Sequence, residues 1–232
     1  MTVLFWDIDG TLLTTGKAGV PAWESAVTEV TGRRFELSSV EVTGRTDFQI
    51  ARATFERLEV PYDEAVLRRM IQRYEELLPS YLPLKQGRVL PNVCEILDQL
   101  RPRTDVRSYL LTGNTRGGAR AKLTHYQLFD YFPDGAFAED FGERATIAQR
   151  ALQLARQAGP VNEQQLFVIG DTPHDITCAE AIGARTIAVG TGGGYTSEQL
   201  RTYRPWRVFD QLPAADAFIA LLDETMRAGV SR

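Results

Sequence analysis

Four short runs of the chain are apolar nearly throughout: residues 3–6, 109–111, 166–169 and 186–189. Polar or glycine residues come directly after each of them. Uninterrupted apolarity over strand length, in place of alternation, predicts strands buried on both faces. Between the later runs the pattern becomes helical. Ile147, Ala148, Ala151, Leu152 and Ala155 recur at helical spacing, and Pro91 stands at a first helical position for residues 91–100. Strands alternating with helices predict a parallel α/β sheet.

Residues 14–88 read differently. Trp23, Ala26, Val27 and Val30 mark one amphipathic helix, and Phe48, Ala51, Phe55 and Leu58 a second. Val66, Leu67, Met70, Ile71, Tyr74, Leu77 and Leu78 mark a third. No strand is expected there. The economical division is an α/β core of residues 1–13 and 89–232, with an all-helical insertion of residues 14–88 after the first strand. Such an excursion costs little entropy if its ends lie close together.

Composition narrows the function classes. The 232 residues are 44% hydrophobic and 24% charged, ordinary globular proportions, with a formal net charge of −4. That balance supplies no basic field for nucleic acid, and no apolar run reaches membrane-spanning length. No basic segment leads a long apolar stretch at the N-terminus, so no signal peptide is expected. Cys94 and Cys178 lack metal-ligand spacing and are expected as reduced, buried thiols. The expectation is a soluble cytoplasmic protein, monomer or homodimer, without nucleic-acid or membrane partners.

The candidate chemistry sits at the strand ends. After the first strand comes Asp7-Ile8-Asp9-Gly10-Thr11, after the second Thr112-Gly113-Asn114, and after the third Gly170-Asp171-Thr172-Pro173-His174-Asp175. Ligands of an open parallel sheet bind at the carboxyl ends of its strands, so these clusters are expected to meet. Asp7, Asp9, Asp171 and Asp175 would then converge, and like charges that close call for a cation. The all-oxygen ligand set favours Mg²⁺. Asp7 and Asp9, two apart on an extended strand, are expected to face the same side, one to attack and the other to handle protons. Asp-x-Asp-Gly alone would read as a surface turn; its place after a buried strand, with two further clusters, argues for a site.

In these motifs the chain resembles the phosphatase branch of the haloacid dehalogenase superfamily, in a form like phosphoglycolate phosphatase. The resemblance covers nearly the whole chain and implies a Rossmann-like core with a C1-type helical cap. It implies Asp7 as the nucleophile that forms an aspartyl-phosphate, and Asp9 as the acid and base serving the leaving alcohol and then water. It implies Mg²⁺ held by Asp7, the Asp9 backbone carbonyl and Asp171, with Asp175 binding directly or through water. Thr112 and the N–H groups near Gly113 and Asn114 would hold phosphoryl oxygens.

The third motif of that family is a cation, usually Lys. Residues 136–146 resemble its region but carry Arg144 and no Lys. Arg144, paired with Asp7 and the phosphoryl oxygens, is the first choice; Lys122, on a helix, is the runner-up and reads as a solvated lysine. His174 reads as a loop or supporting residue, His125 as helix surface, and residues 190–194 as a loop without a P-loop ending.

The expected function is hydrolysis of a small phosphorylated metabolite. A sugar-phosphate mutase keeps the same motifs and stays the alternative; a haloacid dehalogenase would need no Asp9. Residues 43–47 resemble a substrate-facing loop of the cap. There Arg45 reads either as a contact for a substrate carboxylate or second phosphate, or as a solvated side chain beside a helix capped by Thr46 or Asp47.

Overall fold

The computed structural model describes residues 1–61, 63–140 and 142–230. Tyr62 of the helical insertion, Phe141 within residues 136–146 and the last two residues lie outside it. Along the chain run β1 (Thr2–Trp6), β2 (Leu13–Thr14), α1 (Gly19–Thr31), α2 (Asp47–Arg57), α3 (Glu64–Tyr81) and β3 (Arg88–Val89). Then come α4 (Val93–Leu100), β4 (Val106–Leu111), α5 (Arg116–His125), β5 (Gly135–Ala136), α6 (Arg144–Gln157) and β6 (Leu166–Gly170). The chain ends with α7 (Pro173–Ala181), β7 (Arg185–Val189), α8 (Ser197–Arg201), β8 (Arg207–Phe209) and α9 (Ala215–Val230).

Among the described residues six strands form one sheet in the order β5-β4-β1-β6-β7-β8, with every pair parallel. β1 lies inside, with Phe5 opposite Tyr109 on one flank and Val168 on the other. Its apolarity is explained by where its side chains go. Val3 and Phe5 enter one apolar cluster with α6 and α7, and Leu4 and Trp6 enter a second with α4 and α9. Each such fully buried side chain contributes roughly 1.5–3 kcal/mol. The parallel α/β core expected from the pattern is therefore present.

The three helices expected within residues 14–88 are α1, α2 and α3. Trp23, Ala26 and Val27 of α1 and Met70, Ile71 and Tyr74 of α3 are buried together, and the rings of Trp23 and Tyr74 meet edge to face at 4.9 Å. Two short strands not expected from sequence bracket these helices: β2 and β3 pair antiparallel, with Leu13 opposite Val89 and Thr14 opposite Arg88. The ends of the excursion are thus adjacent, which keeps its closure cost low. Pro91 does not open a helix. Asn92 takes a left-handed turn at φ 65° and α4 begins only at Val93. Cys94 is half-buried and not fully enclosed as expected; Cys178 is buried, and both are free thiols.

Candidate active site

The first strand delivers its carboxylate by extending the ladder one residue. The Asp7 N–H donates to Ile169 O at 3.0 Å, and the chain then turns, with Leu12 N–H donating to Ile8 O at 2.9 Å and Gly10 N–H to Leu13 O at 2.8 Å. Gly10 adopts φ 83°, and a Cβ there would stand 2.5 Å from Asp171 Oδ2. Both the backbone conformation and the close approach require glycine.

Asp171 leaves the end of β6, and Asp175 lies in the first turn of α7. Asp175 is wholly buried; its Oδ2 accepts from Thr172 N at 3.0 Å and Thr172 Oγ1 at 2.7 Å, so it caps its own helix. Asp7, Asp171 and Asp175 each present an oxygen, and these oxygens lie within 4.8 Å of one another. Burial first, and then the charge of Asp175, push Asp7 up to about 7 against the pull of Arg144. The same two causes push Asp171 up to about 9. Three buried carboxylates so close are stabilised in their charged forms by a hard divalent cation, and their oxygen-only donor set fits one.

Asp9 departs from the expected four-carboxylate cluster. Its Oδ2 accepts from Lys122 Nζ at 2.6 Å and from Asn114 Nδ2 at 2.8 Å. These two donors hold the side chain beside the carboxylate cluster, and its carboxylate is not part of that group. Lys122 is not the solvated lysine its helix suggested: its side chain is 8% exposed. Burial alone would lower its ammonium, but Asp9, with Tyr74 and Asp47 behind it, outweighs burial and raises it.

Arg144, the first residue of α6, has only 10% of its side chain exposed. Its Nη2 donates to Asp175 Oδ1 at 2.8 Å and its Nη1 to Gly44 O at 3.1 Å. Its direct carboxylate partner is therefore Asp175, where Asp7 was expected. Asp7 still acts on it through space: burial lowers the guanidinium, and Asp175 and Asp7 together outweigh burial. Thr112 is buried at the end of β4, and its Oγ1 accepts from Asn114 Nδ2 at 2.8 Å.

Asp7, Asp9, Thr112 and Lys122 line a cleft of about 360 Å³, which Gly113, Asn114, Arg144 and Asp171 share with Val20, Arg45, Asp47 and Tyr74 of the helical segment. Arg45 reaches the cleft wall, pairs with Glu41 at 3.4 Å and is otherwise open to solvent. Thr46 caps α2 in a reciprocal box with Gln49. Two hydrogen bonds lock this corner to the core: Asp47 N–H donates to Gly113 O at 2.9 Å, and Thr115 N–H donates to the Asp47 carboxylate Oδ2 at 2.8 Å.

Four features were not expected from sequence: the burial of Lys122, named only as the runner-up cation, and its pairing with Asp9; the burial of Asp47; Tyr74 on the cleft wall; and the role of Gly192. A Cβ at Gly192 would collide with Asp171 Oδ2, so residues 190–194 are more than a connecting loop. Asp47 follows the Thr46 cap in the first turn of α2, where an acidic residue is ordinarily solvated, so its sequence position gave no sign of its burial. His174, on α7, is exposed on one side and lies with its ring against Gly44; desolvation there, with the Arg144 charge, lowers it. His125 is exposed at the end of α5, as expected. No helix among the described residues is long and apolar enough to cross a membrane.

The fold is shared with solved structures at low sequence identity. A β-phosphoglucomutase from Clostridium difficile matches at TM-score 0.72 and 16% identity, over 100% of both chains. A predicted phosphoglycolate phosphatase from Haemophilus somnus 129PT matches at TM-score 0.70 and 18% identity, over 95% of this chain and 98% of that one. CbbY from Rhodobacter sphaeroides, solved in complex with phosphate, matches at 0.69 and 15%, over 91% and 95%. No curated protein sequence matches the chain. The model of the haloacid dehalogenase-like hydrolases matches residues 3–189, which include every carboxylate, cation and glycine of the site except Gly192, and the chain belongs to that family.

Proposed function

We propose that the chain is a Mg²⁺-dependent phosphomonoester hydrolase that acts on a small phosphorylated metabolite through an aspartyl-phosphate on Asp7. One observation carries this reading: Asp7 is fixed at a strand end beside two other buried carboxylates, while Asp9, two residues on, faces the same cleft with its own donors.

An Asp7 oxygen attacks phosphorus as the ester P–O bond breaks, and Asp9 gives a proton to the departing oxygen. Water then attacks the same phosphorus, passes a proton to Asp9, and the Asp7–phosphorus bond breaks to release phosphate. Asp7, the Asp9 backbone carbonyl and Asp171 would hold Mg²⁺, with Asp175 serving directly or through water; the ion would supply charge neutralisation between nucleophile and phosphoryl group. Thr112 and the N–H groups at Gly113 and Asn114 receive phosphoryl oxygens, and Arg144 supplies the fixed positive charge beside them.

Residues 14–88 act in this reading as a cap on a core of residues 1–13 and 89–232, excluding water and meeting the leaving group. Arg45 on its rim is the contact for a remote anion of the substrate. The free thiols Cys94 and Cys178 accord with a reducing, cytoplasmic setting. A sugar-phosphate mutase would use the same first step and return the phosphoryl group to a sugar in place of water. A dehalogenase would have no use for Asp9 and its two donors.

Phosphate release from a panel of small phosphate esters, with Mg²⁺ and with chelator, tests the reading. Turnover that requires the cation is expected; full turnover in a metal-free preparation would count against the site.

A further inference from the structure

The proton carrier of this site has one oxygen engaged and one free. Lys122 Nζ and Asn114 Nδ2 both donate to Asp9 Oδ2, at 2.6 and 2.8 Å. Asp9 Oδ1 has no hydrogen-bond partner among the described residues, its side chain is 42% exposed, and the residue lines the cleft. The three side chains close a ring, because Lys122 Nζ also donates to Asn114 Oδ1 at 2.6 Å. The amide orientation is dictated by this ring. Turned over, Asn114 would set its carbonyl against the Asp9 carboxylate and its NH₂ against an ammonium, and both contacts would repel.

We propose that Lys122 is a positioning residue for the phosphoryl-transfer reaction: with Asn114 it clamps Asp9 Oδ2, so that Oδ1 alone faces the leaving group and the water. The inference rests on the phosphatase reading above. Two donors on Oδ2 leave no room there for a transferable proton, so the proton given to the ester oxygen, and later taken from water, travels through Oδ1. Without the clamp the carboxylate is free to turn about its terminal bond, and the carrying oxygen loses its place. Errors of about an ångström in such a group cost roughly a hundredfold in rate.

The clamp is built into the scaffold and not added by chance. Lys122 stands on α5, whose first turn is capped by Thr115, which accepts from Gly118 N at 3.3 Å. Residues 112–114, which carry the phosphoryl-binding groups, run directly into that cap. Holding Asp9 from α5 therefore references the proton carrier to the same short stretch that holds the phosphate. Lys122 itself is buried, and the nearby Asp47 and Tyr74 of the helical segment help Asp9 to hold its charge.

The role separates Lys122 from a phosphoryl ligand and from a structural lysine by leaving-group dependence. Nitrophenolate departs without a proton, whereas phenolate of nearly the same shape needs one. The test is pre-steady-state product release from p-nitrophenyl phosphate and phenyl phosphate with wild type and Lys122→Met, at matched folded fraction by thermal melting. For Lys122→Met the expected burst rate on p-nitrophenyl phosphate stays within a few-fold of wild type, while the later steady rate falls by about a hundredfold. On phenyl phosphate the burst itself slows by a similar factor. Because Lys122 acts through Asp9, the same substitution in an Asp9→Asn background is expected to add little. Equal losses of burst and steady rate on both esters, or additive losses in the double variant, would overturn the proposal. If wild type itself turns over neither ester, the phosphatase reading has failed, and that result cannot be confused with a failed clamp in an active enzyme.

Discussion

Arg144 Nη2 lies 2.8 Å from Asp175 Oδ1, with 10% and 0% of the two side chains exposed. The pair joins the first turns of α6 and α7, and Asp175 is itself one of the three clustered carboxylates. Removing the cation leaves a buried charge next to two others, a change that costs about 3–5 kcal/mol. Arg144→Met is expected to lose that much stability in chelator and to recover part of it in Mg²⁺, because the ion restores positive charge at the same place. Denaturant unfolding in both conditions measures it. A loss below about 1 kcal/mol would mark the pair as no stronger than a surface contact.

Gly192 offers a sharper probe of the proposed metal site. A Cβ there would collide with Asp171 Oδ2, whereas at Gly193 nothing lies within 4 Å. Gly192→Ala is expected to weaken Mg²⁺ affinity by about ten- to a hundredfold, the range for displaced support of a ligand. Gly193→Ala should leave affinity near wild type, although its φ of 77° adds strain. Mg²⁺-dependent thermal shift reads the affinity without relying on activity, and identical responses of the two variants would contradict the placement.

Asp47 makes a prediction in pH. Burial, against the pull of Lys122, pushes its carboxyl up from 3.8 to about 6. A carboxyl raised in the folded state binds its proton more tightly there than in the unfolded chain. Its contribution to stability therefore falls as pH rises from about 4 through about 6. Asn in its place keeps an acceptor for Thr115 N–H and carries no charge. Relative to wild type, Asp47→Asn is expected to gain up to about 3 kcal/mol at pH 7, shrinking toward zero near pH 4. Unfolding in chelator across that range checks it; a difference that does not change with pH would be the contrary result.

Arg45 tests the substrate side. Its bond to Glu41 is long at 3.4 Å and exposed, so the guanidinium can be drawn to an anion in the cleft. Arg45→Ala is expected to lower kcat/KM about ten- to a hundredfold for a preferred substrate with a remote carboxylate or phosphate. A generic aryl phosphate on the same preparation should be nearly unaffected. Equal losses on both would place Arg45 in the phosphoryl site or the scaffold.

The inner strands were legible because burial on both faces leaves an unbroken apolar run, as in β1 and β6. The edge strand β8 was not: Arg207, Val208 and Phe209 are exposed or half-buried and look like loop. β2, β3 and β5 have two residues each and carry no period to detect. The carboxylates were legible from their places after strands. Lys122 was not, because its partner Asp9 is 113 residues away and an isolated lysine between Ala121 and Leu123 reads as surface. Gly192 was hidden for a related reason. Its need for a missing side chain arises only where residues 190–194 fold back onto Asp171.

Passage of the phosphoryl group through Asp7 is open to direct chemical trapping. Rapid quenching during turnover of p-nitrophenyl phosphate with Mg²⁺, then borohydride reduction, converts an acyl phosphate of aspartate into homoserine. Peptide mass spectrometry locates the altered residue. Homoserine is expected at position 7, absent without substrate, with loss of both label and turnover in a folded Asp7→Asn variant. Turnover with no modification at Asp7, or undiminished turnover in that variant, would contradict the aspartyl-phosphate route.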